Sequence, residues 1–201
     1  MGKLTITTYL TMDGVMQSPG GRYEDTSGDF THGGWLVPYV DQAVTDFIAG
    51  IFDKAGAFLL GRFTYHALAG YWPRVTDPND PIASRLNTLP KYVASRTLHN
   101  PEWNHSLITR DAVGEMATLK ASCERELQVH GSATLAQELM AKDLIDEYRL
   151  VVYPVALGTG KRLFAQGAIP AAFRLLDSKT TDRGVLLLSY QRAGTPTYGS
   201  F

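Results

Sequence analysis

Three short apolar runs in this chain stop at small polar turns, and the turns begin at nearly even spacing, at residues 61, 95 and 131. Ala57-Phe58-Leu59-Leu60 gives way to Gly61-Arg62-Phe63-Thr64, Tyr92-Val93-Ala94 to Ser95-Arg96-Thr97, and Leu127-Gln128-Val129-His130 to Gly131-Ser132-Ala133-Thr134. Apolar runs of this length bounded by turn residues read as buried strands, and two of the three lead into helix-like sequence. Strands alternating with helices specify a mainly parallel sheet covered by helices. In such sheets ligands sit at the carboxyl ends of the strands, and all three turns lie there.

A strand that ends in a glycine or serine turn and enters a helix leaves backbone N–H groups free. Together with the helix dipole they attract anions. Gly61 permits close backbone approach, Arg62 and Arg96 can pair with phosphate bidentately, and Thr64 can cap a helix or donate to an anion. Taken singly, Gly61–Thr64 also reads as an ordinary strand-to-helix turn, Ser95–Thr97 as a common loop triplet and Ser132 as a plain N-cap. Several such turns on one sheet margin point to a single extended polyphosphate ligand, of which a dinucleotide is the obvious candidate.

The rest of the chain fits around this frame. Lys3–Leu10 alternates and is rich in β-branched residues, which predicts a strand. Asp13-Gly14 opens a long loop of the kind that often forms a lid. A helix is expected from Pro38 to about Lys54, with Val40, Val44, Phe47, Ile48, Ile51 and Phe52 on one face. Further helices are expected over Thr64–Leu68, from Asp80 (as N-cap) to Asn87, over Ala112–Glu124 and over Ala133–Lys142. Ser106–Thr109 and Ile145–Val152 read as strands. Ala172–Ser178 and Val185–Arg192 read as a hairpin around Thr181-Asp182-Arg183-Gly184. Residues 1–194 are expected to form one domain and residues 195–201 a loose tail.

Nineteen basic and 20 acidic residues give a net charge of −1, which offers no reason to expect nucleic acid or a membrane surface as partner. Cys123 is the sole cysteine, so an intramolecular disulfide and a thiolate metal cluster are excluded, and a reducing, cytoplasmic setting is expected. The histidines at 32, 66, 99, 105 and 130 show no paired metal-ligand spacing.

Several signatures fail. Gly158-Thr159-Gly160-Lys161-Arg162 evokes a P-loop, but Val155 stands at the required first glycine and Arg162 at the required hydroxyl. His130-Gly131-Ser132 hints at an esterase using Ser132, yet the Gly-x-Ser-x-Gly elbow is absent. Two carboxylates are candidate proton donors. Asp46 lies mid-helix beside the apolar stripe, and Asp13 ends the first strand. A partly buried carboxylate with a raised pKa can donate or relay a proton. The competing readings are a solvated helix side chain for Asp46 and a turn with Gly14 for Asp13.

An ordered set of segments carries a resemblance: Thr11-Met12-Asp13-Gly14, Leu60-Gly61-Arg62-Phe63-Thr64-Tyr65 with Trp72, Pro90 through Leu98, Gly131-Ser132-Ala133-Thr134-Leu135, Leu144 through Leu150, and Pro154 through Gly160. Over nearly its whole length the chain resembles the dihydrofolate-reductase-like superfamily. It is most similar there to the reductase domain at the C-terminus of the bifunctional riboflavin-biosynthesis deaminase-reductase. The resemblance implies a three-layer α/β fold, with a mostly parallel central sheet and a C-terminal antiparallel hairpin. The implied activity is NADPH-dependent reduction of a heterocyclic, ribosylaminopyrimidine or pterin-like substrate, and the implied assembly is a homodimer.

By position, Arg62 and Arg96 with Ser95 would hold the adenosine 2′-phosphate side. Gly61, Thr64, Gly131, Ser132, Ala133 and Thr134 would line the pyrophosphate and nicotinamide ribose. Asp13 and Gly14 would close over the nicotinamide. Dihydrofolate reductases carry an acid on the helix before the Gly-Arg turn; Asp46 lies at about that place and Asp41 competes for it. Departures are plain too: the deaminase zinc signature is missing, and Gly131-Ser132 replaces a glycine pair. A nucleotide- or pterin-binding module without turnover is the alternative reading.

Overall fold

The computed structural model describes residues 2–200; Met1, at the head of the expected domain, and Phe201, at the end of the expected tail, lie outside the described residues. β1 (Leu4–Thr11) is followed by a long loop with a 3₁₀ turn at Val37–Tyr39, then α1 (Gln42–Asp53), β2 (Ala55–Gly61) and α2 (Arg62–Ala69). α3 (Pro81–Thr88), β3 (Lys91–Ala94), β4 (Ser106–Thr109) and α4 (Met116–Ala121) come next. β5 (Glu126–His130), α5 (Ala133–Ala141), β6 (Glu147–Tyr153), β7 (Phe173–Thr180) and β8 (Leu186–Arg192) complete the chain.

The eight strands form one sheet in the order β4-β3-β2-β5-β1-β6-β8-β7. Every pair from β4 to β6 is parallel, and β8 runs antiparallel to both β6 and β7. The mostly parallel sheet with its C-terminal hairpin is as the alternation of elements predicts. Because β1 to β6 all run one way, the three turns at residues 61, 95 and 131 share one margin.

Strand side chains alternate between two cores. Leu4 and Ile6 of β1 and Leu127 and Val129 of β5 pack with Met116 and Leu119 of α4 and Leu135 and Leu139 of α5. On the other face Phe58 and Leu60 of β2 pack with Val44, Ile48, Ile51 and Phe52 of α1, Tyr65 of α2 and Leu86 of α3. Phe30 and Trp35 from the long loop join this second core, which makes the loop part of the packed structure. At about 25 cal/mol per Å² of apolar area, these layers supply the main drive to fold.

The second face also holds a buried polar row. Arg149 of β6 is 3% exposed and donates to both carboxylate oxygens of Glu126 at 2.7 Å and to Glu147 Oε1 at 2.9 Å. Gln128 Nε2 donates to Ile51 O at 2.7 Å, a second hydrogen bond to a carbonyl in the last turn of α1 that also accepts the Lys54 N–H at 3.0 Å.

Element ends differ from expectation where a short polar side chain takes over the backbone. The expected Pro38–Lys54 helix begins only at Gln42, because the Asp41 carboxylate accepts the Val44 N–H at 3.0 Å and caps it there. Val40 is therefore extended and largely exposed instead of on the buried stripe. The expected Ala112–Glu124 helix shrinks to Met116–Ala121, since the Asp111 carboxylate accepts the Gly114 N–H at 2.9 Å and forms a turn. α2 begins two residues before the expected Thr64, directly at the end of β2. Residues 195–200 have no regular secondary structure.

Candidate functional site

The three turns meet in one cleft of about 550 Å³ at the carboxyl margin of the sheet. Its wall includes Gly61, Arg62 and Thr64 from the first turn, Ser95 and Arg96 from the second, and Gly131, Ser132, Ala133 and Thr134 from the third. Strand order arranges them. Arg110 follows β4, Arg96 follows β3, Arg62 opens α2 after β2, and Gly131–Thr134 follow β5. The cleft continues over β1, where Thr7, Thr8 and Tyr9 line it. With strands about 4.8 Å apart, the span from β4 to β1 is roughly 19 Å. The strands that lead into Arg110, Arg96 and Arg62 therefore lie to one side of the cleft, and β5 and β1 to the other.

The first and third turns are tied together. Ser132 Oγ accepts the Gly61 N–H at 2.9 Å and lies 2.7 Å from Thr64 Oγ1. A Cβ on Gly61 would stand 2.7 Å from Ser132 Oγ and 2.9 Å from Ser132 Cβ, so only glycine lets the turns approach this closely. Gly131 and Ser132 both adopt left-handed backbone, at φ 63° and 64°. A non-glycine residue held there stores strain of the kind found at ligand clamps. Ser132 does occupy the N-cap position of α5, but its side chain makes no cap hydrogen bond. The expected capping role is corrected: its hydroxyl bridges to the neighbouring turn, and the first N–H groups of α5 lack that cap.

The second turn is held by its own chemistry. Ser95 Oγ accepts the Leu98 N–H at 3.0 Å, and Arg110 Nη1 donates to Ser95 O at 2.8 Å. The Arg62 guanidinium lies 5.2 Å from the Phe63 ring centroid.

The two candidate proton donors are placed elsewhere. Asp46 is exposed, accepts a hydrogen bond from Gln42 Nε2 at 2.7 Å, and is not among the residues lining the cleft. The burial on which its proposed role depends is missing, because the α1 stripe turns Val44 and Ile48, not Asp46, inward. Asp41, its competitor, is the cap of α1. Asp13 and Gly14 also lie outside the cleft lining. The Thr11 hydroxyl donates to Asp13 Oδ1 at 2.5 Å, and the N–H groups of Leu157 and Gly158 donate to its carboxylate at 3.2 and 2.8 Å. The Thr11 hydroxyl and those backbone donors outweigh partial desolvation and hold Asp13 down to about 2. It is a charged tie between two loops, in a turn where Gly14 supplies φ 80°.

Other cleft residues went unmarked in the sequence. Gln17, Glu24 and Asp25 from the long loop line the cleft, as does Lys161. Lys161 Nζ donates to Asp25 Oδ2 at 2.6 Å and lies 5.5 Å from the Phe63 ring centroid, which links the loop to α2 across the cleft. The signal for Lys161 was present in the Gly-Thr-Gly-Lys segment, which fails as a phosphate loop. His130, at the end of β5, is 9% exposed and stacks on Phe52 at 4.5 Å. Burial, then the Arg149 charge, pushes its imidazole down to about 3 against a smaller pull from Glu126.

The residues present fit an extended phosphorylated coenzyme: arginines follow β2, β3 and β4 on one side, Gly61 and Gly131 line the middle, and the cleft continues over β1. A curated relative, the uncharacterized protein YyaP of Bacillus subtilis (strain 168), is 24% identical over 194 residues, 96% of each chain. Among solved structures, the fold matches the Thermotoga maritima diaminohydroxyphosphoribosylaminopyrimidine deaminase/5-amino-6-(5-phosphoribosylamino)uracil reductase with TM-score 0.64 and 12% identity, over 96% of this chain and 57% of that one. It also matches the Enterococcus faecalis dihydrofolate reductase complexed with NADP(H), with TM-score 0.59 and 14% identity, over 95% of this chain and 96% of that one. The family model described as the RibD C-terminal domain spans residues 2–187, and the chain belongs to that family.

Proposed function

We propose that this protein is an NADPH-dependent reductase that delivers hydride to a heterocyclic substrate of the ribosylaminopyrimidine or pterin type. The observation that carries the reading is the convergence of all three turns on one cleft. Membership in the RibD C-terminal domain family supports a reductase of the riboflavin-pathway type.

In this reading Arg62 and Arg96 with Ser95 hold the 2′-phosphate, and Gly61, Thr64 and Gly131–Thr134 hold the pyrophosphate and ribose. The coenzyme supplies the hydride when bound, while the protein supplies orientation and excludes water. The Ser132 bridge fixes the spacing of the two turns before any ligand arrives, so little ordering is needed on binding.

Arg62→Ala tests the assignment. A charge-assisted hydrogen bond is worth about 1.5–3 kcal/mol, so NADPH should bind roughly 10- to 100-fold more weakly. NADH, lacking the 2′-phosphate, should change by less than about twofold. Titration of protein fluorescence with each coenzyme measures both, and equal losses would refute the 2′-phosphate role.

We also propose a homodimer. β7 is an edge strand whose Leu175 and Leu176 are 48% and 42% exposed, an apolar margin open to pairing. Sedimentation equilibrium reads this directly; a monomer at micromolar concentration would exclude it.

A further inference from the structure

The end of the cleft over β1 extends the reductase reading, on which this inference rests. Its floor is built from one face of two adjacent strands. Thr7 pairs in register with His130, and Tyr9, two residues along β1, shares the face of Thr7. Ala67 and Leu68 of α2 give an apolar wall, and Gln17 and Glu24 of the long loop stand among the other lining residues.

Most polar groups here are already engaged. His130 Nε2 is 3.1 Å from Gln128 Oε1. Glu24 accepts the Gly20 and Gly21 N–H groups at 2.9 and 3.0 Å. Lys161 is paired with Asp25. On this floor two hydroxyls make no hydrogen bond: the buried Thr7 Oγ1, and that of Tyr9, whose half-buried ring packs edge-on against Tyr153 at 6.3 Å. A polar floor with unmet hydrogen-bonding capacity is a site waiting for a polar ligand.

We propose that Tyr9 is a catalytic residue: its hydroxyl donates to the ring nitrogen or carbonyl oxygen beside the carbon that accepts hydride, in a flat, neutral heterocycle lying over β1. Burial, and then the neighbouring Glu24 carboxylate, push the phenol up to about 12, so Tyr9 keeps its proton at neutral pH. The pairing of Lys161 leaves no free ammonium at this end, which favours a neutral ring over a phosphorylated group. In the step, a C–H bond of the reduced nicotinamide breaks as a C–H bond forms on the substrate carbon. The electron pair of the C=N bond moves to nitrogen, which takes the Tyr9 proton as the O–H bond breaks. The phenolate regains a proton from water. Hydride and proton are thus added across C=N, and the coenzyme is oxidised by the same two electrons.

The test uses the full chain saturated with NADP⁺ and the neutral bicyclic probe quinazolin-4-one, which carries both a C=N and a C=O acceptor. By calorimetry the wild type should bind the probe, and Tyr9→Phe should weaken it roughly tenfold with coenzyme affinity unchanged within about twofold. In a separate assay with NADPH in place of NADP⁺, oxidation of NADPH by the same probe should fall about 100-fold in Tyr9→Phe. The wild type should also prefer quinazolin-4-one to naphthalene, which lacks an acceptor, by roughly tenfold, a comparison that needs no variant. Unchanged probe affinity in Tyr9→Phe, no preference over naphthalene, or no probe binding by the coenzyme complex would overturn the role of Tyr9. Failure of the wild type to bind NADP⁺ would overturn the reductase reading itself, and this inference with it.

Discussion

Replacing Arg149 with methionine is expected to cost about 4 kcal/mol of stability. The guanidinium is almost wholly buried and meets both oxygens of Glu126 and one of Glu147. Burial alone would raise the Glu126 carboxyl, but the Arg149 hydrogen bonds and charge more than offset this and hold it below its ordinary value. Without Arg149, two carboxylates with side chains only 14% and 13% exposed lose their buried counter-ion, and Glu147 keeps only the exposed Lys3 ammonium at 3.7 Å. Breaking a buried pair from one side is costly for this reason, whereas replacing both partners by apolar residues is often nearly neutral. The double variant Arg149→Met/Glu126→Leu should therefore regain most of the loss. Urea midpoints of the three proteins measure this. A single-variant cost below about 1 kcal/mol, the range of an exposed pair, would show that the network contributes little.

Acid should destabilise the protein through His130 well before most carboxylates titrate. The imidazole is held at about 3 in the folded state, against about 6.5 when unfolded. Between those values the unfolded chain binds a proton that the native state refuses, so stability rises with pH. Acidification from pH 6.5 towards 3 should thus remove up to about 1.4 kcal/mol per pH unit. Asp13, held at about 2, acts in the same direction but only below its ordinary value of 3.8. His130→Gln retains a polar side chain beside Gln128 and removes the titrating group, so its stability should be flat between pH 6.5 and 4. Denaturant midpoints across that range are the measurement, and identical slopes for wild type and variant would defeat the assignment. Since the Arg149 charge contributes to the depression, Arg149→Met should raise the folded imidazole value, so that the acid limb ends at a higher pH and the total loss through His130 is smaller.

Much of the architecture was legible in the sequence because it rests on patterns the backbone enforces. Ala57–Leu60, Tyr92–Ala94 and Leu127–His130 alternate with helices, and that alternation dictates parallel pairing and a shared margin. The positions of Gly61, Arg62, Ser95, Arg96 and Gly131–Thr134 follow from that margin, and they do line one cleft. Helix ends were less legible, because Asp41 and Asp111 accept backbone N–H groups only three residues away and redirect the chain. Asp46 misled because its neighbours in sequence are apolar, while helical rotation turns it to solvent. Tyr9 and Thr7 were hidden in a strand that reads as core, since no local pattern says which stretch of a buried face is left uncovered by helices. The long loop was legible as a possible lid, but its tie through Lys161 and Asp25 joins residues 136 apart in sequence.

The place of β1 at the centre of the sheet has a consequence for how the chain is made. Its neighbours are β5 and β6, so Leu4 must wait for Leu127 and Thr11 for Tyr153. Closing such distant pairings is slow. On the ribosome β1 emerges well before either partner and stays unpaired until β5 and β6 have been synthesised, exposing a β-rich segment to chaperones or to self-association.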